Sequence, residues 1–580
     1  MAQVKRSEGI ETDLLVIGAG AAGMTAALVG AQESLRVILC EKTDMVGGTT
    51  ATSAGTVWIP GNRQGQRAGT PDTVQAARSY LSAMLGEHVR DPRVEMFLKA
   101  GPIVLDYLEQ KTSVCFAAPP VHPDYRDLPG AAIGGRALGA IAFDGRKLGQ
   151  DFCRVRPPRR EFMVLGGMMI GKADIPALLA PFQSWANFRH VAGMLVRQAL
   201  DRIRHHRGTR LIMGNALVAR LLDSVRRSGV DLRFQTALRE IICEGGGVTG
   251  AILTSPGGEV TIRARKGVVL ATGGVGWSRE LRERLLPEAG RRWSLTPPST
   301  TGDGILAAER IGGVIAHDLE SPALWMPSSV MTQADGHVSV FPHIMLDRAK
   351  PGLLAVNKEG RRFVNEADSY HDFVAAMLRS NASATPAFLI CDGGFIRDFG
   401  IGLVHPGTKD LTRFVKAGYL IEGQTIEQLA QEIDVDHHGL RQTVDRYNAF
   451  AETGIDEEFG RGSSELNRVN GDPHYRPNPC LRRIGPGPFY AVAVWPSDLA
   501  SSAGLATDSY GRVLSRDGAH IPGLYAVGTD ASSIFRGTYP GPGTMIGPAM
   551  VFGWCAAMDA AGTLGSHCDQ PERQGSTCAD

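Results

Sequence analysis

The sequence predicts an α/β fold, in which a doubly wound, Rossmann-like sheet carries a second, inserted α+β domain. Three observations predict it. An apolar segment near the N-terminus is followed by the glycine turn Gly18-Ala19-Gly20-Ala21-Ala22-Gly23, and small-residue loops of similar character recur near residues 271 and 528. The stretch of about 316–484 has mixed strand and helix patterns and fewer such loops. At 580 residues the chain exceeds the usual size of one hydrophobic core, so two domains are expected.

The composition is that of an ordinary globular protein, with 43% apolar and 21% charged residues. A net charge of +1 gives no reason to expect a nucleic-acid partner. The nine cysteines are scattered and form no Cys-x-x-Cys pair, so we expect neither a disulfide framework nor a zinc site. The N-terminus lacks a secretory h-region, and no apolar run reaches the ~18 residues of a membrane span. These features predict a cytoplasmic protein.

The first 41 residues have the order of elements that a dinucleotide-binding fold requires. Asp13 to Ile17 reads as a buried strand, Ala21 to Gln32 as the helix after the glycine turn, and Leu35 to Cys40 as the next strand. The free amides at the helix N-terminus can bind a pyrophosphate. Glu41 is placed to bind a ribose diol, which argues against a 2′-phosphate.

Further elements follow from capping residues and periodicity. Thr70-Pro71-Asp72 predicts the start of a helix that reaches about Leu85, and a second helix is expected over Arg93 to Gln110. Later strands and a closing helix are expected over Asp231–Ile242, Thr249–Leu253, Lys266–Leu270, Leu524–Val527 and Gly547–Ala561.

A helical insertion is expected at about 155–207. Apolar residues recur at helical spacing, namely Phe188, Val191, Leu195, Ala199 and Ile203. Arginines between and after them supply charge, namely Arg189, Arg197, Arg202, Arg204 and Arg207. Such a basic amphipathic helix (186–207) can lie on a membrane surface, which would make the protein membrane-associated. The alternative, which we favour at this point, is a surface helix with a solvated basic face.

These patterns divide the chain into three parts. Residues 1–315 form the first part of the nucleotide-binding domain, 316–484 the inserted, substrate-capping domain, and 485–580 the second part of the first domain. The polar tail from about 563 is expected to be disordered.

Several small-residue loops favour an extended flavin nucleotide, FAD, over a nicotinamide cofactor. A nicotinamide enzyme needs only the first turn, whereas close backbone approaches at many points along the chain fit a buried FAD. The candidate FAD-binding residues are Gly18, Gly20, Ala22, Gly23, Glu41, Lys42, Gly47, Gly48, Thr49, Thr50, Ser53, Ala54, Gly55, Ala237, Leu238, Ala271, Thr272, Gly273, Gly274, Gly528, Thr529, Asp530, Gly543 and Ile546.

The segment Gly537-Thr538-Tyr539-Pro540-Gly541-Pro542-Gly543 places a phenol among glycine amides. Donors arranged around a ketone oxygen make the neighbouring hydrogens removable, and each can contribute about 3 kcal/mol. Tyr539 and Gly543 are therefore candidate carbonyl polarisers. The alternative is a tyrosine packed beside a Pro-Gly turn.

Five blocks carry a resemblance to a known family: Glu41 to Pro60 with Gly47-Gly48-Thr49, Asp144-Gly145-Arg146-Lys147-Leu148-Gly149, Arg362-Phe363-Val364-Asn365-Glu366, Pro488-Phe489-Tyr490-Ala491 and Thr538-Tyr539-Pro540-Gly541-Pro542-Gly543. The chain resembles the fumarate reductase and succinate dehydrogenase flavoprotein superfamily. Within it the chain is most similar to 3-ketosteroid Δ1-dehydrogenases (3-oxosteroid 1-dehydrogenases).

The resemblance implies roles for single residues. Tyr539 and Gly543 would bind the 3-keto oxygen, Tyr370 would remove a proton from carbon 2, and Tyr125 would assist Tyr370. Flavin nitrogen 5 would accept hydride from carbon 1. FAD is expected to be non-covalent, since Gly47 to Pro60 contains no histidine for a flavin link.

Other functions stay open on sequence grounds. One is desaturation of a smaller, cyclohexanone-type ring. Another is a fumarate-reductase-like ene reductase, although Leu499 to Leu505 lacks the histidine of those enzymes. A third is a flavin-bearing electron-transfer subunit. No metal is expected, and the electron acceptor and oligomeric state are left open.

Overall fold

A computed structural model describes residues 9–171 and 174–565. The predicted disordered tail lies, from residue 566 onward, outside the described residues. The strands are β1 (Ile10–Ile17), β2 (Val37–Cys40), β3 (Thr56–Trp58), β4 (Phe116–Ala117), β5 (Ala137–Ala140), β6 (Phe143–Asp144), β7 (Met163–Val164), β8 (Met168–Met169), β9 (Arg210–Leu211), β10 (Asp231–Arg233), β11 (Ala237–Glu244), β12 (Gly247–Ser255), β13 (Gly258–Leu270), β14 (Trp293–Ser294), β15 (Ala323–Thr332), β16 (Val338–Pro342), β17 (Leu353–Val356), β18 (Ala387–Asp392), β19 (Ile421–Gly423), β20 (Phe489–Ser501), β21 (Arg512–Leu514) and β22 (His520–Ala526).

The helices are α1 (Ala21–Gln32), α2 (Gly48–Ala51), α3 (Arg63–Arg67), α4 (Val74–Leu85), α5 (Pro92–Lys111), α6 (Ile175–Leu179), α7 (Trp185–Arg204), α8 (Met213–Arg227), α9 (Arg279–Leu285), α10 (Asp303–Arg310), α11 (Met345–Arg348), α12 (Tyr370–Arg379), α13 (Gly393–Phe399), α14 (Thr412–Lys416), α15 (Ile426–Glu432), α16 (His437–Thr453), α17 (Glu465–Asn470) and α18 (Ile546–Ala561).

The first sheet has the order β10-β2-β1-β13-β12-β11, and β22 pairs with the last residues of β13. Strands β10, β2, β1, β13 and β22 run parallel. Leu14 and Val16 enter one hydrophobic core while Leu15 and Ile17 enter another, because the strand is covered on both faces. This arrangement confirms the predicted α/β class with a doubly wound sheet.

The second sheet lies between the two halves of the first along the chain. It has the order β16-β15-β20-β18-β17, with β14 and β19 also pairing with β20. The chain leaves the first sheet after β13 and re-enters it at β21. Strands β14 and β20 lie outside 316–484, so the second sheet uses residues on both sides of the predicted domain limits. Those limits stay a prediction.

The predicted start of helix α4 is wrong by about three residues. The helix begins at Val74, and the Thr73 hydroxyl caps it by accepting a hydrogen bond from the Ala76 amide at 3.1 Å. Asp72, expected in the first turn, instead binds the buried Arg136 guanidinium at 2.9 Å. Because its carboxylate is bound to Arg136, Asp72 lies before the helix and not in its first turn.

Helix α7 confirms the periodic segment but reverses its expected orientation. Its buried residues are Met194, Gln198 and Asp201, whereas Leu200 and Ile203 are 61% and 76% exposed. Arg189, Arg202 and Arg204 are exposed as expected, but the apolar residues expected to face the protein are exposed as well, among them Leu195 and Ile203. Arg207 is buried against Phe152 and Asn215, so it does not belong to the exposed face. In the described part of the chain, no helix is long and apolar enough to cross a membrane.

Candidate active site

The turn between β1 and α1 is closed tightly on one side and open on the other. A Cβ on Gly23 would lie 1.9 Å from the Gly18 carbonyl oxygen, and one on Gly18 would lie 2.1 Å from that of Ala271. A Cβ on Gly20 would meet no protein atom within 4 Å, and α1 has no side-chain cap. The open space at an uncapped helix N-terminus fits a pyrophosphate, so the turn fits a dinucleotide.

The acid at the end of β2 lies against this turn. The Glu41 carboxylate accepts hydrogen bonds from the Ala19 amide at 3.1 Å and from the Thr43 amide and hydroxyl at 2.9 Å. Lys42, also predicted to bind the cofactor, donates to Asp303 at 2.8 Å and to Thr301 at 2.6 Å. The position of Glu41 suits the predicted ribose contact, while the Lys42 ammonium is occupied by protein partners.

The second small-residue loop, 47–55, reaches the same helix end. The Gly47 amide donates to the Ala19 carbonyl at 2.8 Å, and the Thr50 hydroxyl accepts from the Ala21 amide at 3.3 Å. A Cβ on Gly55 would lie 2.4 Å from the Gly214 nitrogen, so this glycine is required for close packing on α8. The loop that contains Thr49, Ser53 and Ala54 is thereby fixed beside the open space at Gly20.

Asp530 connects the two later small-residue loops, 271–274 and 528–530. Its buried carboxylate accepts hydrogen bonds from the Thr272 amide at 2.6 Å and the Gly274 amide at 2.9 Å. Burial raises the pKa of Asp530 despite these donors. Gly528 packs against Ala22 of α1, where an added Cβ would lie 3.0 Å from the alanine Cβ. The structure thus shows Asp530 organising the 271–274 loop, and its direct contact with the cofactor stays a prediction.

The three candidate tyrosines come from separate parts of the chain and meet in one hydrogen-bonded row. Tyr125 lies in the loop between β4 and β5, Tyr370 is the first residue of α12, and Tyr539 precedes α18. The Tyr125 hydroxyl donates to the Tyr370 hydroxyl at 2.9 Å, and the Tyr370 hydroxyl donates to that of Tyr539 at 2.9 Å. All three residues are at most 7% exposed.

The surroundings of this row disfavour charge on the phenols. Burial raises the pKa of Tyr125, Tyr370 and Tyr539 well above the ordinary value of 10. For Tyr370, the hydrogen bond with Tyr539 and the positive charge of Arg348 act in the opposite direction and lower the pKa. The Arg348 guanidinium donates to backbone carbonyls, among them that of Glu366 at 2.6 Å.

Apolar side chains surround the tyrosine row. The same buried cluster contains Leu324 and Met326 of β15, Met345 of α11 and Leu466 of α17. His371 is next to the row, and burial lowers its pKa to about 4, so its ring is neutral at physiological pH. The cluster suits an apolar ketone better than a dicarboxylate.

Trp58 supports the loop that contains Tyr539. Added Cβ atoms on Gly541, Gly543 and Gly547 would each lie between 2.6 and 2.8 Å from atoms of Trp58, so these positions must be glycine. The Trp58 indole donates to Asp124 at 2.8 Å, and Asp124 also binds Arg136 at 2.6 Å. Sequence reasoning missed this support, although an aspartate just before Tyr125 was a visible signal.

Gly543 presents an unoccupied amide. Its φ is +97°, its carbonyl accepts a hydrogen bond from the Trp58 amide at 3.1 Å, and an added Cβ would clash there. Among the residues that the structure describes, none accepts a hydrogen bond from the Gly543 N–H. An unpaired amide four residues after Tyr539 is available for a substrate oxygen.

Comparison with known proteins identifies the family. A profile described as an FAD binding domain matches residues 13–546. A 3-oxosteroid 1-dehydrogenase of Mycobacterium tuberculosis is 34% identical, over 96% of this chain and 99% of its own. The crystal structure of 3-ketosteroid Δ1-dehydrogenase from Sterolibacterium denitrificans in complex with 1,4-androstadiene-3,17-dione is 35% identical, with a TM-score of 0.88 over 95% of this chain and 99% of that chain. The chain belongs to the 3-ketosteroid Δ1-dehydrogenase family.

Membership confirms several predictions. Members of this family are FAD-dependent oxidoreductases that act on CH–CH groups, and the fold, the glycine turn and the profile all agree with that class. A further relative, the 4-oxocyclohex-2-ene-1-carboxylate 5-dehydrogenase of Sinomonas cyclohexanicum, is 40% identical over 96% of this chain and 95% of its own. The family therefore includes a relative named for a small ring as well as relatives named for steroids.

Proposed function

We propose that this FAD-dependent enzyme is a 3-ketosteroid Δ1-dehydrogenase that introduces a double bond between carbons 1 and 2 of a 3-ketosteroid. The observation that carries the proposal is the buried row of three phenols in an apolar cluster. The relatives named for 3-oxosteroids, and the Sterolibacterium structure with a bound steroid, support the substrate class.

Each residue has a role that its surroundings support. The Tyr539 hydroxyl and the Gly543 amide would donate hydrogen bonds to the 3-keto oxygen and stabilise the enolate that forms. Tyr370, acting as its phenolate, would take the proton from carbon 2 and become a phenol, with Tyr125 donating a hydrogen bond to the phenolate before the transfer. FAD, when bound, supplies the acceptor for the hydride from carbon 1. Since Gly47 to Pro60 contains no histidine, we propose that FAD is held without a covalent link.

Desaturation of a smaller cyclic ketone is a second candidate. The observation that favours it is the 40% identity with the dehydrogenase of 4-oxocyclohex-2-ene-1-carboxylate. Both candidates need the same polarised ketone and the same base. They differ in the far end of the substrate, which is apolar in a steroid and carboxylated in the small ring.

A panel of ketones tests the proposal. The FAD-bound enzyme would be mixed anaerobically with 4-androstene-3,17-dione, cholestenone, cyclohexanone, 4-oxocyclohexanecarboxylate or succinate, and flavin bleaching recorded. We expect a 3-ketosteroid to reduce the flavin and succinate to leave it oxidised. Reduction by 4-oxocyclohexanecarboxylate alone would establish the second candidate instead.

Tyr539→Phe tests the role of the phenol in that assay. Loss of one preorganised donor should slow flavin reduction about 100- to 1,000-fold, with FAD still bound. Tyr525→Phe is a matched control, since this tyrosine binds Asp559 at 2.8 Å, away from the row. Wild-type rates in Tyr539→Phe would remove Tyr539 from the mechanism.

We also propose a peripheral membrane contact through α7 and the residues before it. Phe182 and Trp185 are 84% and 74% exposed, and their rings pack with Phe188 at centroid distances of 6.1 and 5.3 Å. Arg189 is exposed next to Phe188 in the sequence, and Arg202 and Arg204 are exposed at the other end of α7, whereas Asp201, the one acidic residue of α7, is buried. Exposed aromatic rings and exposed arginines on one helix suit an anionic bilayer surface.

Sedimentation with vesicles tests this contact. Wild-type enzyme should sediment with vesicles that contain phosphatidylglycerol and remain free with pure phosphatidylcholine. Trp185→Ser with Phe182→Ser should abolish sedimentation while leaving flavin reduction by a dissolved ketone unchanged. Unaltered sedimentation of that variant would contradict the contact.

A further inference from the structure

Two of the three tyrosines are fixed to each other within the FAD-binding domain. The Pro540 carbonyl, next to Tyr539, accepts hydrogen bonds from the Tyr125 amide at 2.9 Å and from the Tyr80 hydroxyl at 2.7 Å. The Tyr80 oxygen in turn accepts a hydrogen bond from the Arg126 amide at 3.3 Å. The loop of Tyr125 and the loop of Tyr539 therefore hold a constant separation.

Tyr370 reaches this pair from the other domain. It is the first residue of α12, which packs on β15 of the second sheet. Ser369 caps this helix by accepting a hydrogen bond from the Asp372 amide at 3.1 Å. The Tyr370 hydroxyl lies between Tyr125 and Tyr539. Its position there depends on how α12 is held against the FAD-binding domain.

An ion pair joins the two domains at this point. The Arg126 guanidinium donates to the Asp372 carboxylate at 2.6 Å. Arg126 follows Tyr125 directly, and Asp372 is two residues after Tyr370 on the first turn of α12. Both side chains are partly buried, with 36% and 21% exposed, so solvent screens the pair only in part.

We propose that Arg126 and Asp372 form a latch between the domains, which holds the Tyr370 hydroxyl in the proton-accepting position between Tyr125 and Tyr539. Both are positioning residues in this proposal, since they lie behind the tyrosines and have no role at the ketone. The proposal rests on the proposed function, in which Tyr370 is the base.

The physical basis is the sensitivity of proton transfer to distance. A base must lie within hydrogen-bond reach of the proton that it takes, and a displacement of about 1 Å can slow a reaction about 100-fold. Without the latch, α12 keeps its contacts within the second domain, among them the hydrogen bond from the Trp325 amide to the His371 ring at 3.2 Å, and it reaches the tyrosines of the FAD-binding domain through apolar packing and the phenol hydrogen bonds. Such contacts permit small shifts of the helix start without unfolding it.

Rate and binding, measured separately, test the latch. In anaerobic stopped-flow mixing with the reducing ketone, Arg126→Gln should lower the limiting flavin reduction rate about 100-fold while the ketone dissociation constant stays near wild type. Arg126→Lys should recover much of the rate because it keeps the charge. Arg126→Gln with Asp372→Asn should be no slower than Asp372→Asn alone, since both remove the same contact.

A matched control is Arg441→Gln, which removes an exposed ion pair with Glu427 on the second domain. The latch is contradicted if Arg126→Gln reduces its flavin at the rate of Arg441→Gln. It is equally contradicted if the two latch substitutions have additive effects, or if the loss in rate is matched by weaker ketone binding.

A second measurement does not depend on the substrate. In the FAD-bound enzyme, Arg126→Gln should speed amide hydrogen exchange in residues 370–374 relative to Arg441→Gln, with α8 unchanged in both variants. Equal exchange in the two variants would contradict the latch. If no 3-ketosteroid reduces the wild-type flavin, the proposed function fails while this measurement still decides the latch.

Discussion

At the scale of the residue, the tyrosine row combines two opposing requirements. A phenol that donates to a ketone benefits from a raised pKa, since it stays protonated, whereas a phenol that acts as base needs its proton removed. Burial raises the pKa of both Tyr539 and Tyr370. The hydrogen bond with Tyr539 and the positive charge of Arg348 lower the pKa of the base, whereas its interaction with Tyr125 raises it.

The pH dependence of flavin reduction follows from the Tyr370 pKa. Because that pKa lies well above 10, Tyr370 is protonated at neutral pH, and the reactive fraction grows as pH rises. We expect the limiting reduction rate to increase through the neutral and alkaline range without a plateau near pH 7. Tyr370→Phe should be slow and lose this dependence. A flat profile in the wild-type enzyme would exclude Tyr370 as the group that titrates.

At the scale of the element, the turn between β1 and α1 separates two kinds of glycine. Gly18 and Gly23 are needed because the backbone folds on itself, whereas Gly20 faces open space. The three look alike in the sequence, where the spacing alone predicts a nucleotide site. The packing around each glycine shows whether it is required by the fold of the backbone or is free to contact a ligand.

Alanine substitutions distinguish the two kinds. Gly23→Ala should lower the melting temperature of the apoprotein, since its Cβ would lie 1.9 Å from the Gly18 carbonyl oxygen. Gly20→Ala should leave that temperature unchanged and weaken FAD binding, because its Cβ occupies the space next to the helix N-terminus. Calorimetry of the apoprotein and FAD titration measure the two effects. Tight FAD binding by Gly20→Ala would place the pyrophosphate elsewhere.

At the scale of the whole molecule, the second domain is held together by a buried ionic cluster. Glu366 binds Arg362 at 2.8 Å and Arg461 at 3.0 Å, and Arg362 also binds Asp456 at 2.8 Å. Arg461 donates to the Lys350 carbonyl at 2.7 Å, which ties the cluster to the chain after α11. These contacts join segments about 100 residues apart and fix the domain that contains Tyr370.

Glu366→Gln should destabilise the second domain by about 3–5 kcal/mol, since it leaves buried arginine charge uncompensated. Burial alone would raise the pKa of Glu366, but the charges of Arg362 and Arg461 outweigh it and hold the pKa below 4.5. The ionised carboxylate therefore stabilises the fold above about pH 4.5, and this contribution is lost as pH falls through the lowered pKa. Thermal unfolding between pH 7 and pH 3 measures it.

The control for this prediction is Glu427→Gln, which removes the exposed partner of Arg441. Exposed ion pairs contribute about 0–1 kcal/mol, so the control should melt near the wild-type temperature. Equal melting temperatures for the two variants at pH 7 would contradict the proposed importance of the buried cluster.

The sequence by itself determined the nucleotide turn, the α/β class, the family and the identity of the three tyrosines. These are local signals, because glycine spacing, strand periodicity and short motifs are readable from neighbouring residues. Only the tertiary structure decided that Tyr125, Tyr370 and Tyr539 form one row, and that Arg126 meets Asp372 across the domains. It also decided that α7 turns its apolar side outward. These features depend on what packs against each element. The residues that pack there can be hundreds of positions away in the sequence, so local patterns do not reveal them.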